Sequence, residues 1–176
     1  MNPQVIWLTG LSGAGKSTIA QGLAKALQEK GLQTCILDGD LLRKGLNQDL
    51  GFTEADRIEN IRRTAQVAKL IVDAGITVIA ALISPYERDR QNARTLFRDG
   101  QFIEVFVSTP IEICIQRDPK GLYAKALKGG IKDFTGIDSP YESPSKPDLT
   151  LNTQDHTVEN LVNDVLAHLN LFSAPK

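Results

Sequence analysis

The residues Gly10-Leu11-Ser12-Gly13-Ala14-Gly15-Lys16-Ser17 satisfy the spacing G-x-x-x-x-G-K-S/T at every defined position, and no other stretch restricts the fold so tightly. Ahead of them Val5-Ile6-Trp7-Leu8 is an unbroken apolar run suited to a buried strand. Behind them Ile19, Leu23 and Leu27 recur at helical spacing within 18–30. Strand, loop and helix in that order make a phosphate loop. Its glycines let the backbone wind tightly with N–H groups turned inward, so the loop amides and the helix N-terminus converge on an anion. Gly10 through Thr18 are therefore expected to cradle the phosphates of a nucleotide. Lys16 reaches the β- and γ-phosphates, and the Ser17 hydroxyl ligates a Mg²⁺ ion that bridges them.

The rest of the chain alternates strands and helices. Gly31 ends the first helix, and Thr34-Cys35-Ile36-Leu37 forms a second strand that closes on Asp38-Gly39-Asp40. Ligands of an open parallel α/β sheet bind outside the carboxyl ends of its strands, so Asp38 and Asp40 are expected beside the phosphate loop. Thr53-Glu54-Ala55-Asp56 reads as the cap of a helix running to 74, with Ile58, Ile61, Ala65, Ala68 and Val72 on its apolar stripe. Arg57 and Asn60 share a face of that helix, where a cation and an amide can grip one ligand. A continuous apolar strand is expected over 76–83, ending in Ser84-Pro85-Tyr86. No acid stands at that end, which leaves the Asp38/Asp40 pair to organise the metal, with Asp40 as the second expected ligand beside Ser17.

An exposed, charge-laced helix over 87–98, a strand over 102–107 and a short helix over 111–117 come next. The stretch 118–141 has no periodicity and carries Lys120, Lys125, Lys128 and Lys132 among glycines, the composition of a basic lid. A strand over 149–151 and an amphipathic helix over 157–169 close the pattern. His156 and His168 have no partner at ligand spacing and read as surface residues. The pattern predicts an α/β fold: a three-layer parallel sheet of the P-loop NTPase type, flanked by helices and carrying a mobile lid.

At 176 residues, 41% of them hydrophobic, one domain spanning 1–176 is expected. The formal charge of -1 offers no basic field for nucleic acid. Locally, Arg43, Lys44, Arg57, Arg62, Arg63, Arg88, Arg90 and Arg94 crowd the middle third, which suits a small anionic substrate. Cys35 and Cys114 lie in apolar stretches without metal spacing, as expected of buried thiols in a reduced compartment. No membrane-length apolar run or signal segment is evident, so no membrane partner is expected and the location expected is cytoplasmic.

Further segments narrow the reading. Asp38-Gly39-Asp40, Gly45-Leu46-Asn47-Gln48-Asp49-Leu50-Gly51-Phe52, Asp56-Arg57-Ile58-Glu59-Asn60-Ile61-Arg62-Arg63, Ile83-Ser84-Pro85-Tyr86, Arg117-Asp118-Pro119-Lys120-Gly121-Leu122-Tyr123 and Phe134-Thr135-Gly136-Ile137-Asp138 follow the phosphate loop in that order. With them the chain resembles the adenylylsulfate kinases over nearly its whole length. The resemblance implies transfer of the γ-phosphoryl of MgATP to the 3′-hydroxyl of adenosine 5′-phosphosulfate, in a homodimeric enzyme. It also implies that Arg43, Arg57 and Asn60 hold the sulfate-phosphate group and ribose, that Phe52 and Phe134 sandwich the adenine, and that Ile83 and Ser84 line the same pocket. Asp40 would orient or deprotonate the attacking hydroxyl, and Lys120, with Arg117 as a second candidate, would close over the bridging oxygen. The family is often described as carrying a phosphorylated serine at the Ser84 position. No base stands near Ser84 in the sequence, however, and direct transfer with Ser84 packed against the acceptor is the expectation. Leu41, Lys44, Glu87 and Gly130 depart from residues common in the family.

Two other readings remain at this point. A P-loop kinase for another small hydroxyl substrate would share most of these features. A guanine-nucleotide switch would need an Asn-Lys-x-Asp base reader, and Ser145-Lys146-Pro147-Asp148 lacks the Asn.

Overall fold

β1 (Val5–Thr9), the strand that feeds the phosphate loop, is the central strand of a five-stranded sheet in the computed structural model, which describes residues 2–170. β2 (Thr34–Asp38), β3 (Thr77–Ala81), β4 (Phe102–Val107) and β5 (Leu149–Leu151) complete it in the order β2-β3-β1-β4-β5, every pair parallel. Val5 stands in register with Val78 on one side and Phe102 on the other.

Period-two alternation assigns the two faces of this sheet. Ile6, Leu8, Ile79, Ala81, Ile103 and Val105 point to one face, covered by α1 (Lys16–Glu29) and α7 (Val158–His168). Val5, Trp7, Val78, Ala80 and Phe102 point to the other, under α3 (Glu54–Asp73) and α4 (Glu87–Arg94). Both faces are thus apolar, as a parallel sheet under helices requires. α3 starts where its cap was expected, the Thr53 hydroxyl accepting from the Asp56 N–H.

Four local expectations are corrected. The strand expected over 76–83 runs from Thr77 to Ala81, with two further backbone bonds beyond it, from the Leu82 N–H to the Leu8 carbonyl at 3.2 Å and from the Gly10 N–H to the Ile83 carbonyl at 3.5 Å. A one-turn helix, α2 (Gly39–Leu42), follows β2, with the Asp38 carboxylate capping it through the Asp40 N–H at 2.9 Å. α4 ends at Arg94 and is not an exposed helix: Asp89 and Arg90 are buried. The aperiodic stretch 118–141, which follows α5 (Ile111–Arg117), contains α6 (Leu122–Leu127). Asp118 accepts from the backbone N–H groups of Tyr123 and Ala124 there, and Tyr123 is buried with its hydroxyl on the Ser12 carbonyl at 3.0 Å. The lid segment is therefore anchored to the phosphate loop by an aromatic side chain that composition alone does not reveal.

Cys114 is buried as expected, whereas Cys35, on edge strand β2, is only half-buried. His156 and His168 are exposed. No helix among the described residues is long and apolar enough to cross a membrane.

Candidate active site

The loop between β1 and α1 needs its glycines for stated reasons. Gly10 has φ +154° and a Cβ there would lie 2.6 Å from the Val107 carbonyl oxygen; Gly15, the residue before α1, has φ +105°. Lys16, the first residue of α1, folds back so that its Nζ donates to the carbonyls of Gly10 at 2.8 Å and Leu11 at 2.7 Å. Its ammonium is buried, and the loss of solvation lowers its pKa to about 8. Arg117 donates to the hydroxyl and carbonyl of Thr153 at 2.7 and 2.8 Å, and the Thr153 hydroxyl reaches the Ala14 carbonyl under the loop.

The two acids of the corner after β2 part company. Ser17 Oγ donates to Asp38 Oδ2 at 2.6 Å, so the carboxylate at the loop hydroxyl is Asp38 and not Asp40. Asp40 instead forms an ion pair with Lys120 across the cleft mouth. A hydroxyl beside a carboxylate is a hard-oxygen pair that suits Mg²⁺, an ion that keeps most of its waters and takes the rest of its ligands from phosphate.

A single cavity of about 640 Å³ runs from Lys16, Ser17 and Thr18 to a second group of side chains contributed by α3, the loop before it, the turn after β3 and the lid segment. Arg43, Phe52, Arg57, Asn60, Ile83, Ser84 and Phe134 all line it, together with Asp38, Asp40, Arg117 and Lys120. Arg57 Nε donates to the Phe52 carbonyl at 3.0 Å and its terminal nitrogen to the Asp133 carbonyl; Arg43 donates to the carbonyls of Leu50 and Gly51 at 3.0 and 2.8 Å. Both guanidinium groups lie over the Phe52 ring, at 4.4 Å for Arg43 and 5.7 Å for Arg57. Neither forms an ion pair with a carboxylate among the described residues, and both line the cavity. Partial burial lowers the pKa of each from its very high ordinary value. Phe52 is 53% exposed, while Phe134 is buried edge-on against Tyr123 at 5.0 Å.

Ser84 sits in the left-handed region at φ +41°, a strained conformation for a residue with a Cβ. Three groups hold it. Trp7 Nε1 donates to Ser84 Oγ at 3.1 Å, Arg90 donates to the Ser84 carbonyl at 2.7 Å, and Thr9 Oγ1 donates to the adjacent Ile83 carbonyl at 2.7 Å. Arg90 in turn pairs with Glu104 at 2.8 Å, with 0% and 1% of the two side chains exposed. The Ser84 hydroxyl is thus anchored from the core side of the turn.

Of the eight cations crowded in the middle third, Arg43 and Arg57 reach the cavity. Arg62 and Arg63 pair with Glu59, Arg63 also with Asp49, and Arg94 with Asp148. Sequence reasoning missed Trp7, Asn47, Arg90, Glu104 and Thr153 as supports of the site. Their contacts are made in the folded chain, and although Trp7, Asn47, Arg90 and Glu104 lie in stretches already singled out, nothing in their spacing marks them as supports.

The family model of Adenylylsulphate kinase matches residues 2–152. The adenylyl-sulfate kinase of Geotalea daltonii is 59% identical over 165 residues, 94% of this chain and 81% of that protein. The bifunctional enzyme NodQ of Rhizobium sp. strain N33 is 60% identical over 166 residues; the match takes in 94% of this chain but only 26% of NodQ. The solved structure of the Mycobacterium tuberculosis APS kinase CysC in complex with AMPPNP and APS superposes with a TM-score of 0.92 at 48% identity, covering 96% of this chain and 98% of that one.

Proposed function

The chain belongs to the adenylylsulfate kinase family, and from that premise we propose that it transfers the γ-phosphoryl of MgATP to the 3′-hydroxyl of adenosine 5′-phosphosulfate, releasing ADP and 3′-phosphoadenosine 5′-phosphosulfate. The observation that carries this reading is the single cavity joining the phosphate loop to the pocket of Arg43, Phe52, Arg57, Asn60 and Phe134. A cavity that takes both substrates at once is what direct in-line transfer needs.

Phosphoryl transfer passes through a loose transition state, so positioning and charge neutralisation do most of the work. The loop amides and Lys16 hold the donor phosphates, Lys16 leaving the Gly10 and Leu11 carbonyls for phosphate oxygen. The Ser17 hydroxyl, with Asp38 beside it, would hold Mg²⁺, which would supply neutralisation of the donor phosphates. Arg43, Arg57 and Asn60 grip the oxyanions of the acceptor, and Phe52 and Phe134 stack on its adenine. The 3′-oxygen forms its bond to the γ-phosphorus as the bond to the β–γ bridging oxygen breaks. Asp40 accepts the hydroxyl proton, and Lys120, released from Asp40, meets the charge that develops on the bridging oxygen.

In this reading Ser84 lines the acceptor pocket and does not carry the phosphoryl group; its Oγ accepts from Trp7 Nε1 at 3.1 Å, which fixes the side chain in place. On the family resemblance we also propose a cytoplasmic homodimer, to be checked by light scattering and fractionation. The deciding experiment is an ADP-release assay comparing adenylylsulfate, AMP and adenosine as acceptors. Turnover with adenylylsulfate far above the other two is expected; equal turnover with all three overturns the assignment.

A further inference from the structure

Asn60 lines the cavity, but one end of its amide is already committed. Its Oδ1 accepts from Asn47 Nδ2 at 2.9 Å, inside the fold. An amide has one acceptor end and one donor end, so the group left to face the cavity is the Nδ2 donor. That nitrogen makes no hydrogen bond to protein among the described residues and is not among the buried atoms left without a partner. Asn47 does not itself line the cavity. It is 0% exposed, its backbone N–H is fixed on the Leu42 carbonyl at 2.8 Å, and its Oδ1 is buried without a partner.

A buried carbonyl left unpaired is costly, though less rarely tolerated than an unpaired buried N–H. The reversed arrangement, with Asn47 accepting from Asn60, would strand the Asn47 N–H groups and turn a carbonyl into the cavity beside Arg57. The orientation seen avoids both. We propose that Asn47 is a positioning residue for the acceptor substrate: by occupying the carbonyl end of Asn60 it points the donor end at the ligand, so that Asn60 and Arg57 present only N–H groups to an oxyanion. This rests on the acceptor assignment made above, with the sulfate-phosphate group as the oxyanion.

The test is steady-state kinetics of the full chain with MgATP and adenylylsulfate, on wild type, Asn47→Ala, Asn47→Asp, Asn60→Ala and the Asn47→Ala/Asn60→Ala double variant. Losing the orienting bond should raise KM for adenylylsulfate about 3- to 10-fold in Asn47→Ala, the size of one ordinary hydrogen bond, while KM for MgATP stays within about twofold. Asn47→Asp leaves only acceptors against Asn60 and turns its carbonyl to the ligand, so it should be worse than Asn47→Ala. If that buried carboxylate prevents folding, as a melting curve would show, the alanine variants decide. In the Asn60→Ala background, Asn47→Ala should add nothing. The inference is overturned if Asn47→Ala raises both KM values in proportion, leaves both unchanged, or still raises KM for adenylylsulfate when Asn60 is absent. A wild type that does not turn over adenylylsulfate overturns the proposed function itself, and this control is read before any variant.

Discussion

Removing the counter-charge of Arg90 tests the part of the fold that holds the active-site turn. In Glu104→Gln the side chain keeps its shape and an oxygen to accept from Arg90 Nε, now 2.8 Å away, but loses its charge. Arg94 is only 3.6 Å from the same carboxylate and keeps Asp148 at 2.7 Å, so the group left uncompensated is Arg90, with none of its side chain exposed. Breaking a buried pair from one side costs about 3–5 kcal/mol, and the retained hydrogen bond places this variant near the lower end. At about 2–4 °C per kcal/mol for a chain of this size, the melting temperature should fall by about 6–12 °C. Because Arg90 also donates to the Ser84 carbonyl, the acceptor KM should rise as well. Arg62→Ala is the control: its pair with Glu59 is exposed, and its loss should leave the melting temperature close to that of wild type. Calorimetry or circular dichroism melting reads both variants. A Glu104→Gln protein melting within about 2 °C of wild type would refute the claim that this pair carries the turn.

Lys16→Ala should lower kcat on the order of 10³-fold or more with an almost unchanged melting curve, because its ammonium serves phosphate charge; near-normal turnover would remove its assigned role. Asp38→Asn should shift the Mg²⁺ concentration for half-maximal rate upward, whereas Asp40→Asn should depress kcat at saturating Mg²⁺; a reversal of the two, read in Mg²⁺ titrations, would exchange their roles. Arg57→Ala should raise KM for adenylylsulfate about 10- to 100-fold and spare KM for MgATP, as expected for a charge-assisted contact, and equal damage to both would count against it. Ser84→Ala should retain substantial activity, losing about 0.5–1.5 kcal/mol. A folded but inactive Ser84→Ala protein, or retention of configuration at an isotopically chiral γ-phosphorus, would instead support a phosphoserine intermediate.

What could be read from the sequence was whatever depends on local spacing. The phosphate loop, the Phe102–Val107 and Leu149–Leu151 strands and the Thr53 cap follow from residues a few positions apart, and each is found where the pattern puts it. Arg57 and Asn60 could be paired because one helical turn separates them. The reading failed where polar groups meet across the fold. Arg90 looked like one more solvated cation on a charged helix, since nothing within α4 announces Glu104 on a strand 14 residues away. Asp38 and Asp40 stand at the same strand end, and spacing alone does not say which carboxylate meets the Ser17 hydroxyl. Which carboxylate meets Ser17 depends on α2 winding immediately after Asp38, a helix of 4 residues too short to leave a periodic signal. α6 was hidden for a similar reason, its amphipathic face being a single buried turn on Tyr123 and Ala126.

The sole tryptophan of the chain has a use beyond holding a serine. Trp7 is sealed from water, stacked on Phe102 at 5.5 Å, with its indole N–H donating to Ser84, which lines the cavity. Its fluorescence is therefore expected to be a single-site signal: blue-shifted and shielded from soluble quenchers, with its one indole hydrogen bond made to a residue that lines the cavity. If the proposed acceptor binds beside Ser84, the indole emission should change on its addition, with no label and no engineered residue. With it, the order in which the two nucleotides load can be followed in real time before any phosphoryl group moves.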